Sequence, residues 1–341
     1  AMWIAGGDSP PAVNTTEEFT AATITDAIQN DGQVFYRSDT GDFKISLTQF
    51  GTGAWASGGN LNTARYGLFT TGSQDAAITV GGEGSAPNPK DETETYNGSA
   101  WTEVGDINTA RQYGVNIGTT TSAIFGSGQA STGQVGVVES WDGSSWTEIA
   151  DVPVRDIAAG FGTATAGLIA GGRSSPPANQ VATVQSWNGS AWSEVGDLNT
   201  ARSGLMGSGI QTSGITYGGR NPSNAKVANV ESWNGSSWTE TTEINTARYA
   251  GGGAGVSNTS ALLFGGNTNP PDATTVNTES YDGSSWTEVA NLATTRYFQG
   301  GNAGNATSSI TAGGLPIPGS ALTTTEEWTV PESISNLTIT D

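Results

Sequence analysis

The chain has 341 residues, of which 32 are acidic and 12 basic, giving a net charge of −20, and it contains neither Cys nor His. Disulfides, thiolate nucleophiles, the usual zinc sites, imidazole bases and Ser-His-Asp triads are therefore excluded, and the scarcity of Lys and Arg argues against nucleic acid as a partner. Gly fills 49 positions and charged residues only 13%, against typical shares of ~7% and ~25%; no run approaches the ~18 apolar residues of a membrane span, so an all-β chain of short strands and tight turns, without membrane insertion, is expected.

Residues 1–26 read as two strands. Met2-Trp3-Ile4-Ala5 runs into Gly6-Gly7, a Pro-containing loop follows, and Thr15-Thr16-Glu17-Glu18-Phe19 is the second strand. The pattern returns as Ser309-Ile310-Thr311-Ala312-Gly313-Gly314 and Thr324-Thr325-Glu326-Glu327-Trp328, and Thr23-Ile24-Thr25-Asp26 returns as Thr338-Ile339-Thr340-Asp341. Residues 1–26 are thus expected to be the tail of a preceding similar unit or a strand-donating arm. Within residues 27–52, Gln33-Val34-Phe35-Tyr36-Arg37-Ser38 and Phe43-Lys44-Ile45-Ser46 alternate with period 2 around Asp39-Thr40-Gly41-Asp42, which predicts a small β-hairpin spacer.

Between residues 53 and 330 a repeat takes over. A strand ending in a Gly doublet recurs at Gly81, Gly126 (as Gly126-Ser127-Gly128), Gly171, Gly218, Gly265 and Gly313, at intervals of 45 to 48 residues. A loop of uneven length leads to Tyr96, Trp141, Trp187, Trp233, Tyr281 or Trp328. In five copies Asn-Gly-Ser or Asp-Gly-Ser follows, then Trp101, Trp146, Trp192, Trp238 or Trp286. Each period is headed by an Arg: Arg65, Arg111, Arg155, Arg202, Arg248 and Arg296. The pair Asn234-Gly235 predicts a two-residue type I′ hairpin with Trp233 and Trp238 on its strands. Each Arg lies shortly after a Trp-Thr/Ser-Glu segment (Glu103, Glu148, Glu194, Glu240, Glu288), so ion pairs to those glutamates between neighbouring units are expected, with the second Trp series packed between units.

Four short antiparallel strands per period suit a β-propeller blade. The Gly-Gly, Tyr/Trp and Trp series resembles the kelch repeat. The resemblance implies a six-bladed kelch-like β-propeller of four-stranded antiparallel blades, in which Gly53-Ala54-Trp55-Ala56 joins the last blade; the alternative is seven blades, with residues 1–20 helping to build the seventh. Residues 331–341 are expected to be a C-terminal linker.

The turns hardly change between periods, whereas the loops after Gly-Gly differ freely, and variable loops on a rigid scaffold are where binding surfaces are built. Candidate ligand-binding residues are Tyr66, Tyr113, Arg173, Arg220, Asn221, Tyr249, Asn267, Asn269 and Tyr297, with Phe298 beside them. The copper oxidases among kelch propellers need His and a Cys-linked Tyr, which this chain lacks. No catalytic residue, cofactor or metal is expected. The composition and the Gly-Gln-Val-Phe-Tyr spacer also resemble kelch-like propeller proteins of marine bacteriophages. That resemblance implies a fibre or appendage component, extracellular or on a virion, which meets a host-surface glycan or protein. A purely structural tandem module that self-assembles with other virion or appendage subunits is the alternative, and a polysaccharide-active enzyme the third reading.

Overall fold

The computed structural model describes residues 2–5, 16–19, 32–37, 41–84, 88–175, 179–268 and 273–338. Among them there is no helix, and the regular elements are short, overwhelmingly antiparallel strands. They fall into two compact units, Gly53–Thr329 and the pair of segments Ala1–Thr52 and Val330–Asp341.

In Gly53–Thr329 one four-stranded sheet serves as the pattern. Met206–Ile210, Ser213–Tyr217, Val230–Trp233 and Trp238–Thr241 hydrogen-bond in that order, each antiparallel to the next. The same order is repeated within residues 69–103, 115–149, 159–195 and 252–289. Gly300–Gly304, Ser308–Ala312 and Thr325–Thr329 supply three strands more, and their fourth is Ala54–Ser57, which pairs Trp55 with Trp328. This is the arrangement of repeated four-stranded sheets found in β-propellers.

Neighbouring sheets are tied through a cycle of backbone hydrogen bonds. Two residues beyond each repeat Arg stands a residue with positive φ: Gly67, Tyr113, Ile157, Gly204, Ala250 and Phe298. Tyr113 N–H donates to Gly67 O, Ile157 to Tyr113, Gly204 to Ile157, Ala250 to Gly204 and Phe298 to Ala250, and Gly67 N–H donates back to Phe298 O, all at 2.7–2.9 Å. Four of these six residues carry a side chain in a backbone region that costs a non-Gly residue of order 1–3 kcal/mol, and the cycle of bonds holds them there.

The turn between third and fourth strands differs from the type I′ expectation. Trp233 pairs with Trp238, so the loop has four residues, and only Gly235 takes a positive φ, 94°. Asn234 Oδ1 accepts from the N–H groups of Ser236 and Ser237, both at 2.9 Å. An Asn or Asp oxygen that reaches two and three residues ahead organises the longer loop, which leaves a single position in need of Gly. The two indoles meet with centroids 5.2 Å apart.

Packing runs between sheets. Phe161, Leu168 and Val184 of one sheet share a core with Leu198, Leu205, Trp233 and Trp238 of the next. Trp146 Nε1 donates to Thr93 Oγ1 of the preceding sheet, 3.2 Å, and Trp55 Nε1 to Thr278 Oγ1, 3.0 Å.

The repeat arginines are buried, but their partners are other glutamates than those expected. Arg65, Arg111, Arg202, Arg248 and Arg296 pair with Glu94, Glu139, Glu231, Glu279 and Glu326, two residues before the first aromatic. The glutamates after the second Trp stay exposed. Strand position explains this: Trp238–Thr241 is the outermost strand of its sheet, where Thr239 and Glu240 are exposed, whereas Glu231, directly opposite Glu240 on the third strand, is fully buried. Arg65, Arg155, Arg202, Arg248 and Arg296 also donate to the carbonyl of the first Gly of the doublet, and Arg111 donates to Phe125 O; Arg202 Nη1 reaches Gly218 O at 2.8 Å and Asn229 O at 2.9 Å.

In the second unit Val34–Arg37, Asp42–Phe50 and Glu332–Thr338 form a three-stranded antiparallel sheet. The first two are the expected hairpin. The stretch 331–341, expected as a linker, instead contributes the strand Glu332–Thr338, in continuous seven-residue register with Lys44–Phe50. Met2–Ala5 and Thr16–Phe19 form a separate two-stranded sheet.

Candidate functional site

The Gly doublets place the variable loops. Both residues of each doublet take positive φ, as at Gly218 (64°) and Gly219 (105°). A Cβ on Gly218 would lie 2.5 Å from Arg248 O, which a side chain could not tolerate. In the degenerate copy Ser127 and Gly128 hold these two positions, so the doublet is displaced by one residue from Gly126.

The residue after each doublet pairs through its backbone with the residue after a repeat Arg. The pairs are Glu83 with Tyr66, Gln129 with Gln112, Arg173 with Asp156, Arg220 with Ser203, Asn267 with Tyr249 and Leu315 with Tyr297. Their side chains differ from sheet to sheet on one repeated backbone, at the end of the unit that also carries the residues of the hydrogen-bond cycle.

Most of the expected aromatics come together here. Tyr66 lies 6.5 Å from Tyr113, Tyr113 lies 4.7 Å from Phe298, and Phe298 lies 4.8 Å from Tyr297 and 5.7 Å from Tyr249, centroid to centroid. The Arg220 guanidinium then covers the Tyr249 ring at 3.7 Å. Gly67 makes the run possible, since a Cβ there would lie 2.7 Å from the Tyr113 ring. Tyr66, Tyr113, Tyr297, Phe298 and Arg220 are half-buried, whereas Tyr249 is only 8% exposed and forms the floor.

The polar candidates divide. Arg173 is engaged, with Nε 3.1 Å and Nη2 2.7 Å from the two oxygens of buried Asp156, which holds its guanidinium pKa above the usual arginine value. Asn221 shapes its own loop, accepting from the N–H groups of Ser223 and Ala225 at 3.0 Å. Asn267 is buried beneath Lys226, whose ammonium donates to it and to Thr268 O. Asn269 lies outside the described residues. At Tyr66, burial and then a hydrogen bond to Glu83 push the phenol up to about 12; burial pushes Tyr113 up as well.

Asp156, Glu83 and Lys226 belong to this face and were not singled out from the sequence. The available signal was position: Asp156 and Glu83 follow a repeat Arg and a Gly doublet, where the periods differ most. At the other end of the inner strands lies a cavity of about 160 Å³, lined chiefly by Gly72, Gly118, Gly162, Gly209, Gly255 and Gly304 with Thr71, Asn116 and Ser208. It presents mostly backbone. Among the described residues no cluster of acidic side chains is arranged to hold a metal ion.

No protein-family model matches the chain, and no curated protein matches it.

Proposed function

We propose that Gly53–Thr329 is a six-bladed, kelch-like β-propeller that acts as a non-catalytic recognition module. The six-membered cycle of hydrogen bonds from Gly67 to Phe298, together with the pairing of Ala54–Ser57 to Thr325–Thr329, supports six blades closed by a strand from the opposite end of the unit. Closure of this kind removes the exposed edges that a linear array would leave.

The observation that carries the binding role is the continuous run Tyr66, Tyr113, Phe298, Tyr297, Tyr249 and Arg220 on a face of variable loops. Half-buried aromatic rings beside a guanidinium suit the apolar faces and hydroxyls of a sugar, so the ligand is a host-surface glycan, displayed to a protein of a virion or surface appendage. The test is a glycan array probed with the full chain and with Tyr297→Ala/Arg220→Gln. Glycan binding lost in the variant supports the assignment; binding that ignores both changes excludes this face.

A structural tandem role is favoured by one observation. Met2–Ala5 pairs with Thr16–Phe19 in the register that Ser309–Ala312 uses with Thr325–Trp328, so that Ala5 opposes Thr16 as Ala312 opposes Thr325. The N-terminal pair therefore has the form of two middle strands of another blade. Concentration-dependent self-association in sedimentation, lost when residues 1–20 are deleted, would support that role; a monomer at all concentrations counts against it.

A further inference from the structure

Two arginines occupy the same repeat position, directly after a Gly doublet, in adjacent sheets. Arg173 pairs through its backbone with Asp156 and receives both carboxylate oxygens of that residue. Arg220 pairs through its backbone with Ser203, the counterpart of Asp156, which has no carboxylate to give. Its guanidinium is stacked on Tyr249 instead, its Nε has no acceptor, and no carboxylate among the described residues forms an ion pair with it. The neighbouring sheet thus displays the group that completes this geometry, and the sheet of Arg220 lacks it.

Its surroundings make the omission unusual. The chain carries a net charge of −20, yet this half of the face gathers cations. Lys226 pairs with Arg220 along the backbone and brings its ammonium within 5.6 Å of the same Tyr249 ring. The two loops are cross-linked by Gln180 Nε2, which donates to Asn224 Oδ1 at 3.1 Å, so Arg220 stands on a braced loop. The wider negative charge is screened beyond ~8–10 Å at ordinary ionic strength, so a small anion at Arg220 meets chiefly the guanidinium itself. The Nε of Arg220 is buried, so the guanidinium held flat on the ring meets a ligand with its two Nη groups, a geometry that captures a carboxylate.

We propose that Arg220 is the anchor for the carboxylate of an acidic saccharide, a uronic- or sialic-acid residue, which supplies from outside the negative partner that Asp156 gives Arg173 from within. This rests on the recognition role of the face and assigns the class of its ligand. The sugar ring lies toward the half-exposed aromatics Tyr297 and Phe298, and the carboxylate closes the unpaired guanidinium. A saccharide is favoured over an acidic peptide because the cation leads into a run of aromatic rings with no further unpaired cation along it.

The experiment uses the full chain on an array of uronic- and sialic-acid glycans printed beside their carboxyl-reduced, neutral counterparts and beside poly-glutamate peptides. An acidic glycan is expected to bind, and its reduced form to bind roughly 10- to 100-fold more weakly, as the loss of a charge-assisted hydrogen-bond pair implies. Arg220→Gln lowers binding by the same factor. Ser203→Asp, which supplies an internal carboxylate and leaves Arg220 in place, does so too, while its melting temperature stays at or above that of the parent. Asp156→Ser releases Arg173 and raises acidic-glycan binding. Equal binding of acidic and reduced glycans, or acidic binding indifferent to Arg220→Gln and Ser203→Asp, overturns the carboxylate anchor and leaves the recognition role of the face intact. Binding to poly-glutamate alone overturns the saccharide assignment. An array without any bound glycan or peptide overturns both.

Discussion

Arg202 and Glu231 form a fully buried ion pair, Nη2 to Oε1 at 2.9 Å, and the second carboxylate oxygen accepts from the backbone and side-chain N–H groups of Asn199 at 2.6 and 2.9 Å. Asn, Arg, Gly doublet and Glu, which look like four separate sequence features, thus make one hydrogen-bonded unit. The third period shows what happens when a part is lost. Pro153 stands where Asn108 and Asn199 stand and has no N–H to donate; correspondingly Glu becomes Gln185, and Arg155 is left with backbone and hydroxyl acceptors, its pKa pushed by burial down to about 10.

Glu231→Gln should therefore destabilise the protein by about 3 kcal/mol, the lower end of the cost of breaking a buried pair, because Arg202 keeps its charge and its backbone acceptors. In a unit of this size that is a drop of roughly 5 °C in Tm. Calorimetry of the variant is the measurement, and a Tm within a degree of the parent would show that the pair contributes nothing.

The second Trp series should not behave uniformly. Trp146 is 7% exposed, packs among Ile78, Val80, Phe125 and Trp141, and bonds to Thr93. Trp192 is half-buried. Trp146→Ala is expected to cost ~3–5 kcal/mol, as for a buried aromatic, and Trp192→Ala clearly less. Equal losses in denaturant titrations would mean that burial between sheets does not set the contribution of these residues.

Legibility of the fold in the sequence followed from repetition. A strand position used six times leaves its mark six times, so the four strands per period, the paired Trp233 and Trp238 and the joining of Trp55 to Trp328 could all be read. Partner choice could not. Glu194 lies far nearer Arg202 along the chain than Glu231 does, and only the strand that each occupies decides which is buried. At the candidate site the aromatics were legible because they recur after the arginines. Asp156 and Ser203 were not, since their meaning lies in a contrast between two sheets that appears only when their backbone partners are known.

Acid should reach the turns selectively. Asp142 is held down to about 2 by the Ser144 hydroxyl and then by backbone N–H groups, and Asp282 to about 2 by the backbone N–H of Ser285 and the Ser284 hydroxyl, from an ordinary 3.8. A carboxylate with a depressed folded pKa contributes stability that is present above about pH 4 and is lost as pH falls through about 2. The corresponding turns at Asn188 and Asn234 make the same bonds without a titrating group. Asp142→Asn/Asp282→Asn should therefore lose less stability than the parent between pH 4 and pH 2; parallel pH profiles would show that the turns are uncoupled from acid unfolding.

The strand Ala54–Ser57 offers the most direct handle on the proposed closure. It pairs with Thr325–Thr329, Ala54 opposite Thr329, while Trp55 packs 5.0 Å from Phe264 and donates to Thr278. Gly53 must be Gly, since a Cβ there would lie 2.1 Å from the Trp328 ring. The chain has no Cys, so Ala54→Cys/Thr329→Cys introduces a single possible disulfide at two exposed positions. It closes a loop of nearly the whole unit, and the loop-entropy contribution should be about 5 to 6 kcal/mol, less any strain in the bridge. The oxidised form should melt well above the reduced form and run as a more compact species in denaturing gels. Failure to oxidise under mild conditions, with both thiols reactive in the folded protein, would show that this strand does not occupy the edge of the last sheet in solution.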